Sequence, residues 1–293
     1  MKRLETLAII AHDMGVIFEF LGFITLVPLL VLVVFGEWEM MVPMASVPLT
    51  FVILGLLISR IPRREFVPQL SVALAAVALV WLVIALVGSL PFVLGLQMSW
   101  TDSIFEAMSG WTGTGFTVID TLDSTPKTIL FWRSFMQWVG GIGVIAFGIA
   151  MLSRSSLIQH QLYRSEGRSE ELMPNVVSTG RRMWVIYLFL TIVFTGMVMI
   201  SGIPLWDALN LVMVSLATGG FSLHDAGISY YNNALLEALL IPVMLAGALP
   251  FKLYFLMYRG KIRPFFQDRV VQLILALTFV GSLIVTLDLH VFN

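Results

Sequence analysis

Seven stretches of this sequence stay apolar for about as long as a helix needs to cross roughly 30 Å of hydrocarbon, close to 20 residues each. They lie at about 14–35, 43–59, 70–94, 129–152, 183–201, 234–258 and 270–288. No water-soluble fold can bury seven such segments in 293 residues. The balance agrees: 58% of residues are hydrophobic and 12% charged, against about 25% charged in an ordinary globular domain. The expectation is an all-α polytopic membrane protein. The start, MKRLETLAII, leads into a first span rather than a cleavable signal. With no cysteine, disulfides, thiolate metal sites and cysteine nucleophiles are excluded.

Charge then sets orientation. Lys2 and Arg3 precede the first span, and Arg60, Arg63 and Arg64 follow the second. Arg154, Arg164, Arg168, Arg181 and Arg182 lie between the fourth and fifth, and Arg259, Lys261, Arg263 and Arg269 between the sixth and seventh. These 14 of the 17 basic residues fall on one side, which the positive-inside rule makes cytoplasmic. The N-terminus is thus expected inside and the C-terminus outside, in the plasma membrane. Glu19 sits within the first span; an intramembrane acid is costly, and snorkelling or pairing competes with a functional role.

Two outer connections do not read as loops. One holds WTDSIFEAMSGWTGTGFTVID and the other LWDALNLVMVSLATGGFSLHD. A shift of 105 residues superposes Asp102 on Asp207, Met108 on Met213, Gly115 on Gly220, Phe116 on Phe221 and Asp120 on Asp225. Each stretch has an apolar span before and after it, so the pattern is an internal repeat: helix, short helix, polar loop, helix. Irregular backbone at membrane depth is tolerated only inside protein or along a watery path. The short helices are therefore expected to enter from outside, stop midway and return through TGTGF and ATGGF. Asp102 and Asp207 are expected to cap their N-termini. The negative C-terminal dipole ends would face the membrane centre. Gly115 and Gly220 can take angles that turn carbonyls toward one axis, where they replace the hydration shell of K⁺ or Na⁺. Asp120 and Asp225 would draw cations to the outer vestibule, with plain solvation as the alternative. Arg133 is expected to pair with an outer acid such as Glu106 or Asp123, supporting the filter.

At these residues the sequence resembles the TrkH/KtrB superfamily of potassium-uptake proteins. FEAMSGWTGTGFTVID followed by TILFWRSFMQWVGGIGVIAFGIAML resembles its first repeat, and SLATGGFSLHDAGI its second filter region. The resemblance implies a potassium-channel-like architecture of repeated helix–pore helix–filter loop–helix units. The division it implies is an N-terminal helix pair at 1–69, a first pore repeat at 70–153 (filter about 112–116) and a cytoplasmic loop at 154–182. A second pore repeat follows at 183–260 (filter about 217–221), then the first helix of an incomplete third repeat at 261–293. It also implies K⁺ ligands among the backbone oxygens of Gly113, Thr114, Gly115, Thr218, Gly219 and Gly220. The function implied is K⁺ uptake as a pore-forming subunit, with Na⁺ as a second candidate ion. The implied partners are a nucleotide-binding cytoplasmic regulatory subunit of the TrkA/KtrA type and membrane lipid, with no cofactor. The family pattern has four repeats and this sequence holds two. The expectation is a truncated or split transporter, ahead of a homo-oligomer, and the alternative function is a non-conducting half that acts only with a second chain.

Other chemistry is not written here. H-E-x-x-H and G-x-S-x-G motifs are missing, so an enzyme is not expected. His12, His160, His224 and His290 are far apart without ligand spacing, and potassium is the only metal expected. Charges segregated by membrane side give no basic patch for nucleic acid.

Overall fold

The computed structural model describes residues 2–61, 70–143 and 176–292, and every regular element among them is helical. The first span is two helices, α1 (Lys2–Ile24) and α2 (Val27–Phe35), separated at Thr25–Leu26. Pro28 stands in the first turn of α2, where its missing N–H costs no hydrogen bond. Helix α3 (Met41–Ser59) packs along α1. The two approach closely because a Cβ on Gly15 would lie 2.4 Å from the Ser59 nitrogen and one on Gly55 2.6 Å from Glu19. Small residues at the crossing are how apolar helices associate without a hydrophobic driving force. Here Glu19 finds its partner: the Ser59 hydroxyl donates to its carboxylate at 2.5 Å.

The third apolar run forms α4 (Leu70–Gly88) and α5 (Leu90–Gly95), and then comes the short α6 (Trp100–Thr112). Helix α7 (Lys127–Ile142) returns and packs on α2 and α6. Its first turn is capped from a distance. The Glu37 carboxylate accepts from the Lys127 and Thr128 amides, both at 2.8 Å, and from the Thr128 hydroxyl at 2.6 Å. Free N–H groups at a helix start favour a carboxylate electrostatically as well as by hydrogen bonding.

The second half repeats the order with α8 (Val176–Met199), short α9 (Leu205–Leu216), α10 (Ala234–Ala248) and α11 (Phe251–Tyr258). Helix α9 packs on α7 as well as on α8 and α10. The expected sixth span at 234–258 is not one straight helix: α10 and α11 meet at 98°. Pro250 forces the correction. It disfavours the helical region for Leu249, which is extended at φ −85°, ψ 148°, and it cannot donate to the preceding turn. Helices α12 (Arg263–Gln267) and α13 (Arg269–Phe292) complete the fold.

Among the described residues five segments are long and apolar enough to span, or six with the bent pair. The expected span at 129–152 is described only as far as Gly143, and most of the expected cytoplasmic loop at 154–182 lies outside the described residues. Aromatic rings pack within the first half and across its seam with the second. Trp111 and Trp132 meet edge to face at 5.7 Å, Trp138 stacks on Tyr187 at 5.4 Å, and the Trp132 indole donates to the Gly88 carbonyl at 3.1 Å.

Candidate functional site

Short helices α6 and α9 end in the same turn. At the end of α6 the Gly113 amide donates to the Gly110 carbonyl at 3.1 Å and the Thr114 amide to Ser109 at 3.0 Å. At the end of α9, 105 residues on, Thr218 donates to Ser215 and Gly219 to Val214, both at 3.0 Å. This is a Schellman turn, which needs a left-handed residue to reverse the chain. Gly113 supplies it at φ 69° and Thr218 at φ 54°. Two residues further, Gly115 (φ 81°) and Gly220 (φ 91°) are again left-handed, where a side chain strains the backbone. Each turn is also pressed by the helix that follows it. A Cβ on Gly140 in α7 would lie 1.9 Å from the Trp111 carbonyl oxygen, and one on Gly247 in α10 would lie 2.0 Å from that of Leu216.

The two loops touch each other. A Cβ on Gly115 would fall 2.0 Å from the Gly219 carbonyl oxygen, whereas one on Gly220 would meet nothing within 4 Å. Among the described residues, no hydrogen bond ends on a carbonyl of Gly113, Thr114, Gly115, Thr218, Gly219 or Gly220. The next carbonyl in the first loop, Phe116, does accept one, from the Ser109 hydroxyl at 2.6 Å. Six carbonyls at two abutting turns thus take no protein donor, an arrangement that suits an electron-pair acceptor.

Behind the loops lies a buried ion pair. Arg133 and Glu106, 1% and 0% exposed, meet at 2.8 Å. Glu106 also accepts from the Thr117 hydroxyl and the Val118 amide at 3.0 Å, holding the chain as it leaves the first turn. Arg133 donates to the Ser222 carbonyl at 2.8 Å and lies 4.1 Å from the Phe221 ring centre. One pair therefore grips both loops. Of the two acids expected to pair with Arg133, the structure uses Glu106. Asp123 instead meets His224 at 2.6 Å.

The expected caps are corrected. Ser99, not Asp102, caps α6: its hydroxyl accepts the Asp102 amide at 3.2 Å and donates to the Asp102 carboxylate at 2.7 Å. The S-x-x-D spacing was readable as a capping box. Pro204 precedes α9, and Asp207 stands in its first turn, accepting the Tyr231 hydroxyl at 2.8 Å. Burial and this carboxylate hold the Tyr231 phenol above its ordinary pKa. Both acids keep a favourable place beside the positive dipole end, but neither is the cap. Asp120 is exposed. Asp225 is exposed too, yet its carboxylate accepts the Leu122 amide at 2.6 Å, tying the outer loops together. Sequence reasoning missed Gln137, whose side-chain oxygen accepts the Phe221 amide at 3.2 Å. Among the described residues no three His, Asp or Glu side chains converge as a metal cluster.

Comparison with known proteins bears on the family and the fold. A family model described as TrkH, cation transport protein, matches residues 41–290. An uncharacterized cation transporter of Methanocaldococcus jannaschii is 34% identical over 95% of this chain and 58% of its own length. The Trk system potassium uptake protein TrkH of Halomonas elongata is 32% identical over 96% of this chain and 60% of its own. The crystal structure of the potassium transporter TrkH from Vibrio parahaemolyticus superposes with a TM-score of 0.80 at 28% identity, covering 95% of this chain and 58% of that one. The chain spans about three fifths of these relatives' length.

Proposed function

The chain belongs to the TrkH family of membrane cation transporters, which is not a family of enzymes, and on that premise we propose that it forms part of a potassium-uptake pore in the plasma membrane. Regions 70–153 and 183–260 act as two pore repeats, and the loops after α6 and α9 are their filters. The ligands are the carbonyls of Gly113, Thr114, Gly115, Thr218, Gly219 and Gly220. The observation that carries this reading is the pair of matching turns whose carbonyls take no protein donor. Carbonyl dipoles in number can replace the water shell of a monovalent cation without a carboxylate.

The remaining roles follow from that placement. Helix ends directed at the ion add partial negative charge. Asp102 and Asp207 anchor the opposite ends, Glu106 and Arg133 hold the loops, and Asp120 and Asp225 bias the outer vestibule toward cations. The N-terminus lies in the cytoplasm, and the membrane potential drives entry with about 2.3 kcal/mol per charge per 100 mV. A nucleotide-binding cytoplasmic subunit regulates the pore.

Two loops cannot encircle an ion as four do. A second reading, in which the chain conducts only when further protein completes the ring, is favoured by the open side of the site. Phe116 in the first loop is 69% exposed. The test is ⁸⁶Rb⁺ uptake by the 293-residue chain in potassium-uptake-deficient cells, with membrane insertion verified. Uptake abolished by Gly115→Ser supports the pore. Insertion without uptake supports the second reading. Uptake with unaltered K⁺/Na⁺ preference in Gly115→Ser refutes the filter assignment.

A further inference from the structure

The two filter loops are supported by different means, and the difference singles out one residue. In the first loop the supporting groups come from its own short helix: Glu106 holds Thr117 and Val118, and Ser109 holds the Phe116 carbonyl. The residues 105 positions later are Leu211 and Val214, whose side chains can hold nothing by hydrogen bonding. The second loop instead leans on α7, a helix from the other half of the fold. Arg133 takes the Ser222 carbonyl, and one turn further Gln137 takes the Phe221 amide.

We propose that Gln137 is the positioning residue of the second filter loop, setting where the Gly219 and Gly220 carbonyls stand and so how well that loop separates K⁺ from Na⁺; this rests on reading those carbonyls as ion ligands. Three observations carry it. Gln137 is fully buried, so its amide cannot trade its partner for bulk water. Its carboxamide lies flat against the loop: a Cβ on Gly219 would sit 2.3 Å from Oε1, 2.4 Å from Cδ and 2.8 Å from Nε2. A side chain at 219 would push the amide aside, so the bare glycine is what lets the carboxamide reach the backbone of this loop. Third, the Phe221 N–H can only donate, so Oε1 has to face it, and this fixes the orientation of the carboxamide against the loop.

The purified 293-residue chain in nanodiscs tests this with two independent readouts. The first is amide hydrogen exchange. Gln137→Leu should speed exchange at Phe221 about tenfold, the scale of one net hydrogen bond, while Thr114–Val118 stays unchanged. Gln137→Glu retains an acceptor oxygen and should keep Phe221 slow. The second is cation-dependent thermal protection. The K⁺-over-Na⁺ preference of the unaltered chain should fall toward unity in Gln137→Leu. Unchanged exchange at Phe221 overturns the positioning role. Faster exchange with unaltered preference overturns the role in discrimination. If the unaltered chain shows no K⁺ preference, its two loops do not discriminate unaided and the role in discrimination is overturned for this chain, while exchange at Phe221 decides whether Gln137 positions the loop. Should Gln137→Leu not fold, Gln137→Met makes the same comparison.

Discussion

Gly115 and Gly220 are equivalent in the sequence, and the structure predicts that alanine at the two positions will behave differently. Both are left-handed, at φ 81° and 91°, so either alanine incurs backbone strain of about 1–2 kcal/mol. At Gly220 nothing else happens, because the new methyl would meet nothing within 4 Å. At Gly115 the methyl would lie 2.0 Å from the Gly219 carbonyl oxygen. Backbone has to move by about 1 Å to restore contact, and forced shifts of this kind cost about 1–3 kcal/mol. Gly115→Ala should therefore destabilise by about 2–5 kcal/mol and Gly220→Ala by about 1–2 kcal/mol. Denaturant and thermal unfolding of the full chain in micelles, followed by tryptophan fluorescence, measures both. If Gly220→Ala is as damaging as Gly115→Ala, the two loops do not abut as described. On the proposed function, the same shift displaces a ligand oxygen of the opposite loop. Gly115→Ala should then disturb K⁺ selectivity at both filters.

Two other substitutions probe the supports. Glu106→Gln leaves the buried Arg133 guanidinium without its counter-charge and should cost about 3–5 kcal/mol; adding Arg133→Met should recover part of that loss in the same unfolding assay, and a single-variant loss below about 1 kcal/mol would contradict the pairing. Glu37→Ala removes the acceptor of two amides and one hydroxyl at the start of α7, should destabilise by about 1–2 kcal/mol, and should raise hydrogen exchange at Lys127 and Thr128 while leaving Phe221 slow.

Much of the architecture is carried by one-dimensional pattern. Apolar runs about as long as the hydrocarbon is thick, and basic residues gathered between them, specify membrane helices because lipid supplies no hydrogen bonds to any other backbone. The 105-residue shift that superposes Gly115 on Gly220 marked both turns. A left-handed glycine after a short amphipathic helix is a local requirement, and local requirements leave local signatures. The Pro250 break was also legible in principle. The apolar run continues across it, however, and hydropathy counts length without direction, so the 98° bend escaped.

The partner of Arg133 was narrowed to Glu106 or Asp123, and packing chose Glu106; the other long-range partners were not legible. Gln137 reaches an amide 84 positions away, and Glu37 caps a helix that begins 90 positions later. No periodicity connects such pairs, because they are set by which helices pack together. The caps failed for the same reason at shorter range: Asp102 and Asp207 share a place in the alignment, but Ser99 takes the cap in one helix while Tyr231 claims the carboxylate in the other. The apolar runs and the 105-residue repeat specify two matching turns in a membrane protein, because each turn is a local requirement. Their inequality arises only in the fold. Packing brings α7 against the second loop, so that loop is held from outside its own half, while the first is held from within.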